Sequence, residues 1–233
     1  MKQALITGGT SGIGEELVNR FEGLGYYVGY TTRRVAEGDD RGKIVRYHLD
    51  MCNIQSVETF CSQIIQTGKQ IDLLVLNAGY TEFVAGDETF EKLTPDIFNK
   101  VVTSNLTNNY RILYHLSSCL SERAHIVMVS SVAAYTGIGS NLAYTLSKNG
   151  IKMMAQILSK SACNGVRYNA VAPGLMKTNF TKNFPDEYFE NYSSKTPMGR
   201  LATISDVADV VVSLECDMKF VNGQTIIVDG GFY

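Results

Sequence analysis

The 233-residue sequence predicts an α/β fold, a doubly wound parallel sheet of about seven strands with helices on both faces. Three observations carry this. Short apolar runs alternate with amphipathic stretches along the whole chain, the pattern of strands joined by helical crossovers. The run Ile71-Asp72-Leu73-Leu74-Val75-Leu76 is almost fully apolar, as a parallel strand covered on both faces should be. A glycine-rich turn, Thr7-Gly8-Gly9-Thr10-Ser11-Gly12-Ile13-Gly14, separates the first apolar run from the first helical stripe. With 45% hydrophobic and 19% charged residues, a single domain over 1–233 accounts for the chain. No repeat, low-complexity tract or linker divides it.

Residues 2–7 read as the first strand. Ile13, Leu17, Val18, Phe21 and Leu24 then recur at helical spacing. Strand, glycine turn and helix in this order form a variant of the dinucleotide-binding fingerprint. Glycine admits φ > 0 and a close ligand, and the helix N-terminus offers N–H groups to a phosphate. Residues 27–31 make a second strand, followed by Thr32-Arg33-Arg34. In dinucleotide folds an acid at this place binds the ribose 2′-OH, whereas an arginine accommodates a 2′-phosphate. No acid is present, so the charge pattern favours NADP over NAD, with Arg33 on the phosphate.

Residues 43–49 alternate as a third strand ending at Asp50, and 54–65 place Val57, Phe60, Cys61, Ile64 and Ile65 on one side of a helix. The fourth strand ends in Asn77-Ala78-Gly79, small residues against which a flat ring could lie. A helical region covers 95–120 with Asn105 inside it, a slightly unfavourable place for Asn unless its side chain is used. Ser131 follows the strand-like run Ile126-Val127-Met128-Val129-Ser130. Tyr144 and Lys148 stand at i, i+4 in a predicted helix over 141–160, so they point the same way one turn apart. A free phenol has a pKa of about 10. A neighbouring ammonium favours the phenolate and would make Tyr144 an acid or base usable near neutral pH. Ser131 could then hold a substrate oxygen against the phenol. Alone, Tyr-x-x-x-Lys also suits an ordinary amphipathic pair.

Residues 166–171 read as a sixth strand, ended by Pro173-Gly174. The stretch 175–200 is the least regular and reads as a mobile lid over a substrate. Residues 203–215 are helical, capped by Ser205 or Thr203, and 224–228 form the last strand before Asp229-Gly230-Gly231. A net charge of −2 argues for neither nucleic acid nor an anionic membrane as partner. No apolar run approaches the roughly 20 residues that cross a bilayer, and the N-terminus lacks a leader pattern. Cys52, Cys61, Cys119, Cys163 and Cys216 form no C-x-x-C pair and read as free thiols of a reducing cytoplasm. His48, His115 and His125 show no ligand spacing, so no metal is expected.

Taken together, Thr7-Gly8-x-x-x-Gly12-Ile13-Gly14, Asp50, Asn77-Ala78-Gly79, Asn105, Ser131, Tyr144-x-x-x-Lys148, Pro173-Gly174 with Thr178, and Val228-Asp229-Gly230-Gly231 resemble the short-chain dehydrogenase/reductase family. The resemblance covers essentially the whole chain. It implies a single-domain Rossmann-type fold and hydride transfer between nicotinamide C4 and a carbonyl carbon. It implies that Tyr144 is the general acid/base and that Ser131 orients the substrate oxygen. Lys148 would tune Tyr144 and bind the nicotinamide ribose, and Asn105 would hold a water passing protons onward from Lys148. Gly8, Thr10, Ser11, Gly12, Ile13 and Gly14 would bind the pyrophosphate side, with Thr32 and Arg33 at the adenosine ribose and Asp50 and Met51 beside the adenine. Asn77, Ala78 and Gly79 would lie along the cofactor, and Pro173, Gly174 and Thr178 would hold its carboxamide side. Two positions depart from the pattern: Leu76 replaces an Asn, and Ser11 stands where many NADP-using members carry a basic residue.

Length, Pro197-Met198-Gly199-Arg200 and Val221-Asn222-Gly223-Gln224-Thr225 resemble bacterial 3-oxoacyl-acyl-carrier-protein reductases. Those enzymes dock an acidic carrier through arginines near the site mouth. The matching positions here hold His125 and Asn164, so the carrier-docking patch is weakened, and a free small ketone or a secondary-metabolite intermediate is expected as substrate beside a 3-oxoacyl compound. The resemblance also implies a homo-oligomer, dimer or tetramer, packed through the helices at 95–120 and 141–163 and the last strand. A cofactor-binding sensor or scaffold without turnover is the alternative. Such relatives usually lose the Tyr or the Lys, and both are present here.

Overall fold

The computed structural model describes residues 1–34, 42–83, 92–161 and 165–233. Cys163 and Asn164 lie outside the described residues. The strands are β1 (Gln3–Ile6), β2 (Tyr27–Thr32), β3 (Ile44–His48), β4 (Ile71–Leu76), β5 (Leu120–Val129), β6 (Arg167–Pro173) and β7 (Thr225–Val228). They form one seven-stranded sheet in the order β3-β2-β1-β4-β5-β6-β7, and every pairing is parallel. The helices are α1 (Gly12–Gly23), α2 (Ile54–Gln66), α3 (Pro95–Val102), α4 (Asn108–Leu116), α5 (Ala133–Thr136), α6 (Leu142–Ser161), α7 (Asp186–Lys195) and α8 (Ile204–Cys216).

The period-2 side-chain pattern divides the central strands between two cores. Leu5, Leu74, Leu76, Ile126 and Met128 pack on one face against Val57, Phe60, Ile64, Ile112, Leu116 and Ile151 of α2, α4 and α6. Ala4, Ile6, Leu73, Val75, Val127 and Val129 pack on the other against Leu17, Val18, Phe21, Val207, Val211 and Leu214 of α1 and α8. Both faces are covered, so the strands read as continuous apolar runs.

Several boundaries differ from expectation. The helix expected over 95–120 is broken by a π turn at Thr103–Thr107 and closes in a 3-10 turn at Ser117–Cys119. β5 starts at Leu120, ahead of the apolar run, because its exposed Glu122 and Arg123 hide the strand pattern. The stretch 175–200 is not irregular throughout. It holds a 3-10 turn at Asn179–Thr181 and α7, which is anchored by buried Phe189. Thr203 is the cap of α8, in a reciprocal capping box with Asp206.

His125, at a position matched to a carrier-docking arginine, does not reach the surface. It is fully buried at the amino edge of the sheet, where Glu215 gathers Lys2, Tyr26, His125 and Arg167. Burial holds its pKa below the ordinary histidine value. A neutral ring then donates from Nδ1 to Glu215 (3.2 Å) and accepts at Nε2 from Asn169 Nδ2 (3.0 Å). The apolar neighbours Ala124 and Ile126 had marked this position as strand interior.

The strand order reverses between β1 and β4, and ligands of such sheets bind outside the carboxyl ends at that switch point. Buried Thr7 seals it. Its hydroxyl accepts from the N–H groups of Asn77 and Ala78, both at 2.9 Å, and donates to Val75 O. Asn77 Nδ2 returns to Thr7 O (2.9 Å) and Gly8 O (3.1 Å). Thr7→Val keeps the shape and strands two N–H groups, so we expect a loss of about 2–4 kcal/mol. In urea unfolding the midpoint should fall with the slope unchanged; an unmoved midpoint would contradict the role given to Thr7.

Candidate active site

The glycine turn follows β1 and leads into α1. Gly8 has φ +72°, a backbone region costly for other residues. Its N–H is held by Thr31 Oγ1 (2.9 Å), and Gly9 N donates to Thr31 O (3.0 Å). A Cβ on Gly14 would lie 2.1 Å from Gly8 O and 2.7 Å from Asn77 Nδ2, so only glycine lets α1 approach the turn. A Cβ on Gly12 would instead meet nothing within 4 Å. Thr10 and Ser11 are exposed, Ile13 is buried, and the Ser11 side chain makes no capping bond to α1. The first turn of α1 therefore offers its N–H groups and dipole to an anion over open space. These residues fit a dinucleotide pyrophosphate.

At the end of β2, Thr32 is buried, and its Oγ1 accepts from Arg34 N at 3.1 Å. Arg33 and Arg34 are exposed beyond it. After β3, Asp50 Oδ1 accepts from Cys52 N, and Asp50 N donates to Ser56 Oγ, each at 2.9 Å. Met51 is buried, and its carbonyl accepts from Asn108 Nδ2 at 2.8 Å. The expected cofactor residues thus line one edge of the sheet, from the glycine turn to Met51.

Asn105 sits in the π turn, a distortion frequent at functional sites. It is fully buried. Its Oδ1 accepts from Tyr80 N (2.7 Å), and its Nδ2 donates to Tyr80 O (2.8 Å) and Ser147 Oγ (3.2 Å). Its own carbonyl accepts from Asn109 Nδ2 at 2.6 Å. The side chain thus fixes the loop after β4. A Cβ on Gly79 would lie 3.4 Å from Asn105 Oδ1 and 3.5 Å from Lys148 Nζ, so Gly79, Asn105 and Lys148 border one small space.

Ser131, Tyr144 and Lys148 come together beside it. Ser131 Oγ accepts from Ala133 N at 3.2 Å, and its hydroxyl acts on the Tyr144 phenol to lower its pKa. Buried Lys148 donates from Nζ to Val129 O at 2.8 Å and lies 5.6 Å from the Tyr144 ring centroid. The expectation that Lys148 lowers the Tyr144 pKa is not met in the free protein. Burial pushes the phenol up to about 12 against the opposing effect of the Ser131 hydroxyl. Burial brings Lys148 down to about 8. For both groups the loss of water is the largest cause of the shift.

Across the site, Gly174 N bonds Val228 O (2.9 Å), and Pro173 O accepts from Val132 N (2.9 Å). Thr178 Oγ1 accepts from Phe180 N at 3.2 Å, and Thr178 N donates to Thr181 Oγ1 at 3.0 Å. The hydroxyl expected at the cofactor thus also shapes the turn that carries Phe180. Sequence reasoning missed Asn141. This buried residue accepts from Tyr144 N at 2.8 Å and donates to Glu82 O at 2.8 Å. Its place one residue before α6, where Asn is a favoured cap, was the available signal. Among the described residues no group of His, Cys, Asp and Glu could hold a metal ion, and no helix is long and apolar enough to cross a membrane.

Known proteins share the sequence pattern and the fold. A family model described as Enoyl-(Acyl carrier protein) reductase matches residues 8–233. The 3-oxoacyl-[acyl-carrier-protein] reductase FabG of Haemophilus influenzae is 32% identical, with 100% of this chain and 98% of that protein covered. An acetoacetyl-CoA reductase of Rhizobium meliloti is 30% identical over 99% of this chain and 98% of that protein. Among solved structures, a short chain dehydrogenase of Leptospira borgpetersenii with bound NAD+ superposes with a TM-score of 0.86 at 26% identity, covering 99% of this chain and 92% of that one. A short-chain dehydrogenase/reductase of Brucella melitensis, titled glucose/ribitol dehydrogenase, gives 0.88 at 25% identity, covering 100% and 96%. The chain belongs to the short-chain dehydrogenase/reductase family and is an NAD(P)-dependent oxidoreductase acting on carbonyl and alcohol groups.

Proposed function

We propose that this protein is an NADPH-dependent carbonyl reductase acting on a 3-oxo compound in the cytoplasm. The observation that carries the reading is the meeting of Tyr144 and Lys148 at the end of β5, with the Lys148 ammonium 5.6 Å from the Tyr144 ring centroid and bonded to Val129 O just before Ser131. Burial keeps the phenol protonated. The bound nicotinamide supplies the hydride. Ser131 and Tyr144 would hold the substrate oxygen from two sides. As negative charge grows on that oxygen, Tyr144 gives up its proton. A phenol at about 12 remains far more acidic than an alcohol, whose basicity as alkoxide approaches that of hydroxide (~15.7 for water). The raised pKa therefore suits Tyr144 as an acid in reduction better than as a base in oxidation.

Lys148, held charged at neutral pH with a pKa of about 8, would stabilise the phenolate as it forms and bind the nicotinamide ribose hydroxyls. Val129 O takes one of its donors. Asn105 and Gly79 border its ammonium, which supports a proton path running outward on that side. Support for a 3-oxo substrate comes from the relatives named 3-oxoacyl-[acyl-carrier-protein] reductase and acetoacetyl-CoA reductase. Support for NADPH is the acid-free end of β2 with exposed Arg33. The thiols of Cys52, Cys61, Cys119 and Cys216 are free, which suits a reducing compartment. Exposed Tyr110 and Tyr114 on α4, and Leu146, Met153 and Ile157 on α6, offer an apolar face that favours a symmetric homo-oligomer.

The direct test assays 3-oxo esters and thioesters with NADPH and NADH side by side. Tyr144→Phe should bind NADPH normally and lose turnover by about 100–10,000-fold, the range for a positioned acid. Full turnover would remove Tyr144 from its role. Arg33→Glu should raise the KM for NADPH about 10–100-fold, the worth of one charged hydrogen bond, and leave NADH unaffected. An equal effect on both cofactors would contradict a 2′-phosphate contact.

A further inference from the structure

A wall of aromatic rings stands beside the Tyr144 phenol. The ring of Phe180 lies 5.9 Å from that of Tyr144, tilted by 40°. Phe83 meets Phe180 edge-on at 6.3 Å and Phe184 edge-on at 5.1 Å. Phe180 is 41% exposed, and Phe83 and Phe184 are half-buried. Phe184 also packs on Tyr188 and on buried Phe189, so it backs the wall while Phe180 and Phe83 face outward from it. The rings are assembled from two separate segments, the loop after β4 and the turn before α7.

Each segment is pinned to the reacting groups. Asn141 accepts from Tyr144 N and donates to Glu82 O, so the residue preceding Phe83 is tied to the start of the catalytic helix. Thr81 Oγ1 bonds Ser140 Oγ on the same loop junction. On the other side, Thr178 caps the turn that holds Phe180. The backbone next to Phe83 is therefore tied to the start of α6, and the backbone of Phe180 is tied to Thr178. A flat ring joined to the carbonyl carbon would find edges and faces already spaced for aromatic packing. An alkyl chain there would gain only buried area.

We propose that Phe83, Phe180 and Phe184 form an aryl subsite beside Tyr144, and that the substrate class is a 3-oxo compound bearing an aromatic ring on its carbonyl carbon. This rests on the carbonyl-reductase reading above and narrows it. The probes are ethyl benzoylacetate and ethyl 3-oxohexanoate, which share the 3-oxo ester and differ in the group on the ketone. The protein should favour the aryl ester by about 10-fold in kcat/KM, the worth of one good aromatic contact. Phe180→Ala should erase that preference by raising KM for the aryl ester about 10-fold, with the alkyl ester changed by less than about 3-fold. Phe180→Tyr, which keeps the ring, should retain the preference.

Two outcomes overturn the subsite and leave the reductase reading intact. One is a protein that reduces both esters equally well or prefers the alkyl ester. The other is a Phe180→Ala variant that loses both activities in parallel, which would make the ring a prop for Tyr144. Binding of NADPH with turnover of neither ester would overturn the reductase reading and the subsite together.

Discussion

One residue joins the catalytic helix to the sheet at both of its ends. Lys148 donates from Nζ to Val129 O at 2.8 Å, and its own carbonyl accepts from Ser130 Oγ at 2.7 Å. The two partners are consecutive and immediately precede Ser131. Helix α6 is thereby locked in register with the carboxyl end of β5, and Tyr144, one turn earlier, is carried to the Ser131 hydroxyl. The lock requires an ammonium to lose its water, which costs several kcal/mol. A single carbonyl offsets part of that cost, and the lowered Lys148 pKa records the remainder. The charge survives at neutral pH, where a reducing enzyme needs it.

The rest of the site is held by side-chain amides and hydroxyls where the parallel ladder ends. Strand hydrogen bonds stop at the carboxyl edge, and the loops beyond would otherwise carry unpaired backbone groups. Thr7 and Asn77 close the gap between β1 and β4. Asn105 takes both backbone groups of Tyr80. Asn141 links Glu82 to Tyr144. Each clamp leaves the adjoining backbone rigid and its small residues open to a ligand. The π turn that presents Asn105 interrupts a helix to do so, a local cost that the two bonds to Tyr80 offset.

Much of this was legible in the residues. The strands at 71–76 and 2–7, the glycine turn and the Tyr144/Lys148 spacing carry strong local signals, because burial on both faces and a close backbone approach leave few residue choices. Asn105 was marked by its poor fit to a helix interior. Other features have no local signature. Glu122 and Arg123 disguise the start of β5. The meeting of His125 with Glu215, ninety residues away, has no signature in the sequence. The helix at Asp186–Lys195 is weak in its own pattern and depends on Phe189 reaching the core. The direction of the Tyr144 shift was misread for a physical reason: the attraction of a charge can be guessed from spacing, but desolvation is known only when the surroundings are.

That shift is where the account is most exposed. With tyrosine labelled at Cζ with carbon-13, the Tyr144 signal can be assigned by its loss in a Tyr144→Phe sample. It can then be followed by NMR in the free protein as pH is raised toward 10, where an ordinary phenol is half ionised. The account predicts that Tyr144 keeps its phenol chemical shift throughout, as burial to about 12 demands. A phenolate signal already present near pH 8 would contradict it and return Tyr144 to the role of a base.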